Sequence, residues 1–168
     1  GTQRRGLELG GRTLLSPHWP ALISASLIEA EFTKAYSTNV ASVAAGNRMP
    51  GIPQHFVFSE LLWSSSSFSA GTRRNALGTL AGLELVGAGR LYADDRNTAS
   101  ADGYNVFNLK ASQGWSLGKG QLTAYARVDN VGDKKYVGSV IVNQAASQFY
   151  EPAPGRNWTL GARLSVPL

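Results

Sequence analysis

A chain of 168 residues with 43 % hydrophobic content is long enough for one domain with a core, yet its apolar residues are dispersed and no run nears the roughly 20 that a spanning helix needs. Cysteine is absent, which excludes disulfide scaffolds, thiolate metal sites and thiol nucleophiles, and with only His18 and His55 no metal or other cofactor is expected. The net charge of +5 suits an anionic partner, but the basic residues form no arm or tract and accompany no recognisable binding module, so nucleic acid is not an expected partner.

The N-terminal GTQRRGLELGGRT has no apolar signal-like core, which leaves a cytoplasmic chain or one whose export signal lies upstream. Residues 5–15 then read as a first strand, with Leu7 and Leu9 on one face. Ser16-Pro17-His18-Trp19-Pro20 predicts a turn, because each proline fixes φ and cannot donate to a ladder. Residues 21–32 form a second strand of imperfect alternation. A helix competes for this stretch, but its serines, its β-branched residues and the lack of a start cap favour strand. Residues 33–54 make a long loop of small and polar residues that closes on Pro50-Gly51-Ile52-Pro53, far longer than a hairpin connection.

The third strand, 55–64, carries Phe56, Phe58 and Trp63, and 65–75 is a turn or loop. A long fourth strand is expected over 77–94, with Leu83, Leu85 and Leu91 opposite Glu84 and Arg90. A polar loop, 95–103, leads to a fifth strand over 104–117. Phe107, Leu109, Ala111 and Trp115 face one way there, and Asn108, Lys110 and Ser112 the other. Gly118-Lys119-Gly120 is a tight hairpin turn. The sixth strand, 122–137, sets Leu122, Ala124, Ala126 and Val128 against Thr123, Tyr125, Arg127 and Asp129. After a third long connection, 139–151, the last strand sets Trp158, Leu160, Ala162, Leu164, Val166 and Leu168 against Thr159, Gly161, Arg163 and Ser165.

The fold class expected is therefore all-β, in one domain over 1–168, with about seven antiparallel strands, or eight if 38–45 or 139–146 hides another. Connections run short after the first, third and fifth strands and long after the second, fourth and sixth, the asymmetry of a transmembrane β-barrel. Trp19, Trp63, Trp115 and Trp158 all fall near strand ends, where interfacial aromatic girdles sit; in a soluble sandwich they would be core anchors. Gly82, Gly87, Gly89 and Gly161 lie inside apparent strands, costly in a soluble sheet but useful in a crowded, bent barrel wall. A seven-stranded sheet leaves two open edges, so a small re-closed barrel, an oligomer or edge pairing is expected.

Four segments together resemble the barrel portion of TonB-dependent outer-membrane receptors. They are Arg5-Gly6-Leu7-Glu8-Leu9; Gly46-Asn47-Arg48-Met49-Pro50-Gly51-Ile52-Pro53-Gln54-His55; Val128-Asp129-Asn130-Val131-Gly132-Asp133-Lys134-Lys135-Tyr136; and Glu151-Pro152-Ala153-Pro154-Gly155-Arg156-Asn157-Trp158. Val131-Gly132 stands where the family usually has Leu-Phe, and the terminal Leu168 replaces a usual aromatic residue that helps assembly. The resemblance implies the C-terminal part of a plugged barrel of about 22 strands in the Gram-negative outer membrane. Outer-membrane lipid and lipopolysaccharide would surround it, and contact with TonB would run only through an N-terminal plug. It further implies uptake of a scarce nutrient, most often a ferric siderophore.

The candidate ligand residues are Arg48, Arg96 and Arg156, to attract an anionic ligand, and Tyr104, Phe149 and Tyr150, to stack on it. The plainer alternative gives the arginines to lipopolysaccharide phosphates or rim solubility and the aromatics to the girdle. Arg127 with Asp129, and Glu84 with Arg90, are expected to form inward charge ladders. Asp94, Asp95 and Asp102 offer oxygen ligands for calcium, but three acids in an exposed loop are commonplace. The serine run has no paired base, so no enzyme is expected. Two other classes stay open: a self-standing small outer-membrane barrel, structural or lipid-modifying, and a soluble β-barrel holding an apolar ligand.

Overall fold

The computed structural model describes residues 1–39, 41–68 and 77–166; expectations about Leu168 and about most of the 65–75 connection fall outside them. Among the described residues thirteen strands follow in chain order: β1 (Thr2–Ser16), β2 (Trp19–Phe32), β3 (Tyr36–Ser37), β4 (Ser42–Val43), β5 (His55–Ser64), β6 (Gly78–Ala88), β7 (Leu91–Tyr92), β8 (Ser100–Ala101), β9 (Tyr104–Leu117), β10 (Gly120–Asp129), β11 (Val137–Val140), β12 (Tyr150–Pro152) and β13 (Asn157–Ser165). Seven of them form one sheet in the order β1-β2-β5-β6-β9-β10-β13, every neighbouring pair antiparallel. The remaining six make three two-stranded ribbons inside the long connections: β3 with β4, β7 with β8 and β11 with β12. Among the described residues no eighth strand joins the sheet: β4 and β11, from the two stretches proposed for it, pair only inside their own ribbons, and β1 and β13 are left as its edges.

The registers carry the alternation across the whole sheet, because directly paired residues share a face. Following the pairs Leu7↔Leu27, Leu61↔Leu83, Leu83↔Leu109, Leu109↔Val128 and Val128↔Trp158 traces a face without a charge through its middle. All four tryptophans lie on this face, Trp19, Trp63 and Trp115 toward the end with the short connections and Trp158 toward the other. The face has no cover: Leu160 is 78 % exposed and Trp158 70 %. The opposite face carries Glu8, Glu60, Glu84, Lys110, Arg127 and Arg163. The small core sits instead where the long connections meet the strand ends, around Ala30, Val43, Ala93 and Ala101.

Four boundaries differ from the sequence reading. The expected strand over 77–94 breaks after Ala88, because Gly89 passes His55 so closely that a Cβ there would lie 2.8 Å from Nδ1. Leu91 then belongs to the β7–β8 ribbon and Arg90 leaves the inner ladder, lying 3.4 Å from Asp102 in solvent. The expected strand over 122–137 stops at Asp129, where Asn130 takes a φ of 51° and turns the chain away. Pro20 does not end the first turn: it lies within β2, paired with Leu14. The connection after β5 occupies 65–77, so the short turns are those after β1 and β9.

Candidate functional site

Two regions collect polar chemistry, the inner wall and the rim formed by the long connections. On the wall, cross-strand pairing sets Glu60 opposite Glu84, and two like charges at that spacing need cations between them. Lys110 supplies one, bonded to Glu60 and, at 2.6 Å, to Glu84. Arg127 supplies the second, with Nη2 2.7 Å from Glu84 Oε2 and Nε 2.7 Å from Asp129 Oδ1. The expected ladder therefore exists for Arg127 and Asp129, but Glu84 joins it through Lys110 and Arg127 rather than Arg90. Every carboxylate in it is paired through a charge-assisted bond.

At the rim the segments singled out from the sequence interlock. Asn130 Oδ1 accepts the Lys134 N–H at 2.9 Å, and its Nδ2 donates to Lys134 O at 2.8 Å, closing the turn between Asp129 and Tyr136. Asn130 Nδ2 also lies 3.4 Å from Pro154 O, and Asp133 Oδ1 accepts the Arg156 N–H at 2.8 Å. That bond, with Lys135 Nζ at 3.1 Å, holds the Asp133 carboxyl below its ordinary pKa. Gly155 is the residue that allows this approach, since a Cβ there would lie 2.8 Å from Asp133 Oδ1. The Tyr136 ring lies against Tyr104 with centroids 4.1 Å apart.

The stretch from Asn47 to His55 runs back along β2: the Met49 N–H donates to Ala30 O and the Gly51 N–H to Tyr92 O, both at 2.9 Å, on either side of Pro50. Asn47 Nδ2 donates to Asp95 O at 2.9 Å, and Arg48 Nη2 donates to Ile28 O at 2.8 Å. His55 closes the stretch by accepting the Gly89 N–H at 2.8 Å. Asp94 shapes the facing turn. Burial pushes its carboxyl up, but the Thr98 hydroxyl at 2.6 Å and the Ala99 and Thr98 N–H groups at 3.0 and 2.8 Å outweigh this and hold its pKa below the ordinary value. That carboxylate is already satisfied, and no group of three or more acids and histidines among the described residues is placed to hold a metal ion.

The six candidate ligand residues do not converge. Tyr104 lines a rim cavity of about 280 Å³ together with Pro53, Phe56, Val137, Ser139 and Val140. Arg48 is tied to the β2 backbone, Arg96 stands 3.7 Å from Asp94, and Arg156 is held at its backbone by Asp133. Phe149 and Tyr150 meet edge to face at 6.2 Å, and the Tyr150 hydroxyl donates to Ser100 O at 3.2 Å, outside that cavity. Phe56 read from the sequence only as a strand aromatic, and Val137 to Val140 read as strand end and loop; their convergence is set by the turn at Asn130.

An apolar face, free of charge through its middle, edged by tryptophan and with the Arg5–Glu29 ion pair only at its rim end, backed by a charged wall and crowned by long connections, is the architecture of a membrane barrel wall. Residues 1–131 match the family model described as TonB dependent receptor-like, beta-barrel, and the chain belongs to that family. Among solved structures it is similar to BauA, the ferric preacinetobactin receptor from Acinetobacter baumannii (TM-score 0.73, 14 % identity), and to the siderophore receptor PiuA from the same organism (0.72, 19 %). It is also similar to the ferric yersiniabactin uptake receptor FyuA from Yersinia pestis, with a TM-score of 0.67 and 22 % identity. Each match covers 98 % of this chain but only 22–23 % of the receptor, so the chain spans less than a quarter of their length.

Proposed function

We propose that residues 1–168 form the C-terminal part of the barrel wall of a Gram-negative outer-membrane receptor that imports a ferric siderophore. The observation that supports it best is the pairing of one apolar, tryptophan-edged sheet face, charge-free through its middle, with one ion-paired face, on strands that superimpose on siderophore receptors over 98 % of the chain. In this reading outer-membrane lipid meets the Leu83–Leu109–Val128 face, and lipopolysaccharide meets the rim. Coupling to TonB runs through a plug that these strands surround. The chain's share of the work is transport without chemistry: it walls the lumen and presents Tyr104 and Phe56 at the mouth. Arg156 is placed to draw in an anionic ligand, Arg96 shares its charge with Asp94, and Arg48 serves the loop's own structure.

Iron-starved cells offer the test. Cells in which this coding stretch is deleted in frame are expected to lose uptake of the cognate radiolabelled ferric siderophore, and the native protein should fractionate with outer membranes. Uptake unchanged across a panel of catecholate, hydroxamate and carboxylate siderophores would overturn the ligand class. A monodisperse chain without detergent would overturn the membrane reading altogether.

A further inference from the structure

We propose that the three connections at the rim, 33–54, 89–103 and 130–156, form one locked body around the turn at 93–99, so that none of them opens alone. The turn is held from two sides. From the first connection, Asn97 clamps the Arg48 peptide: the Arg48 N–H donates to Oδ1 at 2.7 Å, and Nδ2 donates to Arg48 O at 2.8 Å. The Asn47 and Gly51 bonds to Asp95 and Tyr92 lie on either side of that clamp. From the third connection, the Asn143 N–H donates to Ala93 O at 2.9 Å while its Oδ1 accepts the Asp95 N–H at 3.0 Å. Ala93, between the two clamps, is fully buried.

Both clamping asparagines have left-handed backbones, with φ of 59° at Asn97 and 56° at Asn143, a conformation asparagine tolerates better than most residues. Each therefore makes the turn and the inter-loop bond at once. Opening either outer connection breaks several of these bonds and exposes Ala93, so local opening is coupled across all three. The rim cavity lined by Phe56, Tyr104 and Val137 is in consequence preformed, and any loop closure over a ligand belongs to other parts of the mouth. The inference goes beyond the transport reading and holds for any ligand.

Amide hydrogen exchange on the full chain in detergent micelles tests it. Asn97→Gly keeps the left-handed backbone and removes the clamp. The amides to follow are those of Gly51 and Asn143, neither of which bonds the Asn97 side chain. Both are expected to exchange about tenfold faster while amides of β6 and β9 stay protected. Acceleration confined to 94–99 and Arg48 would overturn the proposal. Should Asn97→Gly also deprotect β6 and β9, the reciprocal variant decides: Asn143→Gly is expected to accelerate the Arg48 amide, which the first connection bonds to Asn97 across the turn, and an unchanged Arg48 amide means separate bodies.

Discussion

At the scale of single residues, glycines and asparagines do work here that polarity patterns do not announce. Gly161 sits on the inner face of β13 opposite Tyr125, and a Cβ added there would run into the Tyr125 ring and hydroxyl. The ring covers the bare backbone, which explains a glycine in the middle of a strand. Gly161→Val is expected to swing Tyr125 into the lumen and cost about 1–3 kcal/mol, the range for overpacking a fitted site. Gly10→Val, on β1 where an added Cβ meets nothing within 4 Å, is the matched control and should be close to neutral. Denaturant unfolding of both variants in micelles checks this, and equal midpoints would sink it. The same lesson holds at Asn97 and Asn143. Their types suit turns, but only the fold reveals that each reaches across to another connection, which is why neither stood out in the sequence.

At the scale of elements, the strands were legible because each turns one face to a solvent unlike the other's. Phe107, Leu109 and Ala111 against Asn108, Lys110 and Ser112 on β9 is enough to assign both the strand and its faces. Where strands end was not legible. Leu91 keeps the parity of Leu83 and Leu85, yet crowding at Gly89 redirects the chain there, as the turn at Asn130 does after β10, and neither cause is a matter of periodicity. What the alternation alone left open, lipid or a dry interior, is decided by a pair of substitutions. Leu109→Arg, in the charge-free middle of the apolar face, is expected to destabilise the protein in lipid vesicles by about 2–4 kcal/mol. Ser112→Arg, three residues along and on the other face, should cost less than 1 kcal/mol, because the lumen wall takes charge readily. Folding yield and urea midpoints in vesicles read the difference. Similar losses for both would mean that the two faces meet the same medium.

At the scale of the whole molecule, strand parity limits how the sheet can be completed. In an antiparallel sheet of seven, the outermost strands run the same way: β1 and β13 both descend from the long connections toward the short ones. Rolling the sheet up so that β1 meets β13 would create a parallel seam, and a head-to-tail second copy in the same membrane orientation would do the same. Outer-membrane barrels of a single bacterial chain avoid this by having even strand numbers. An antiparallel fit needs an odd number of strands between the two edges. The three solved receptors, more than four times as long, have room for that complement. The re-closed barrel and the edge-paired homo-oligomer expected from open edges are therefore both disfavoured by direction, although the edges themselves were foreseen correctly. Single cysteines at Leu7 or Leu9 on β1, combined with one at Leu160 or Leu164 on β13, are expected to give no register-specific disulfide within or between copies in vesicles into which the chain inserts in one orientation. Amides of β1 and β13 should meanwhile exchange faster than those of β6, which is flanked on both sides. A single preferred cysteine pair, with edge amides as protected as the centre, would show a parallel seam and defeat the parity argument.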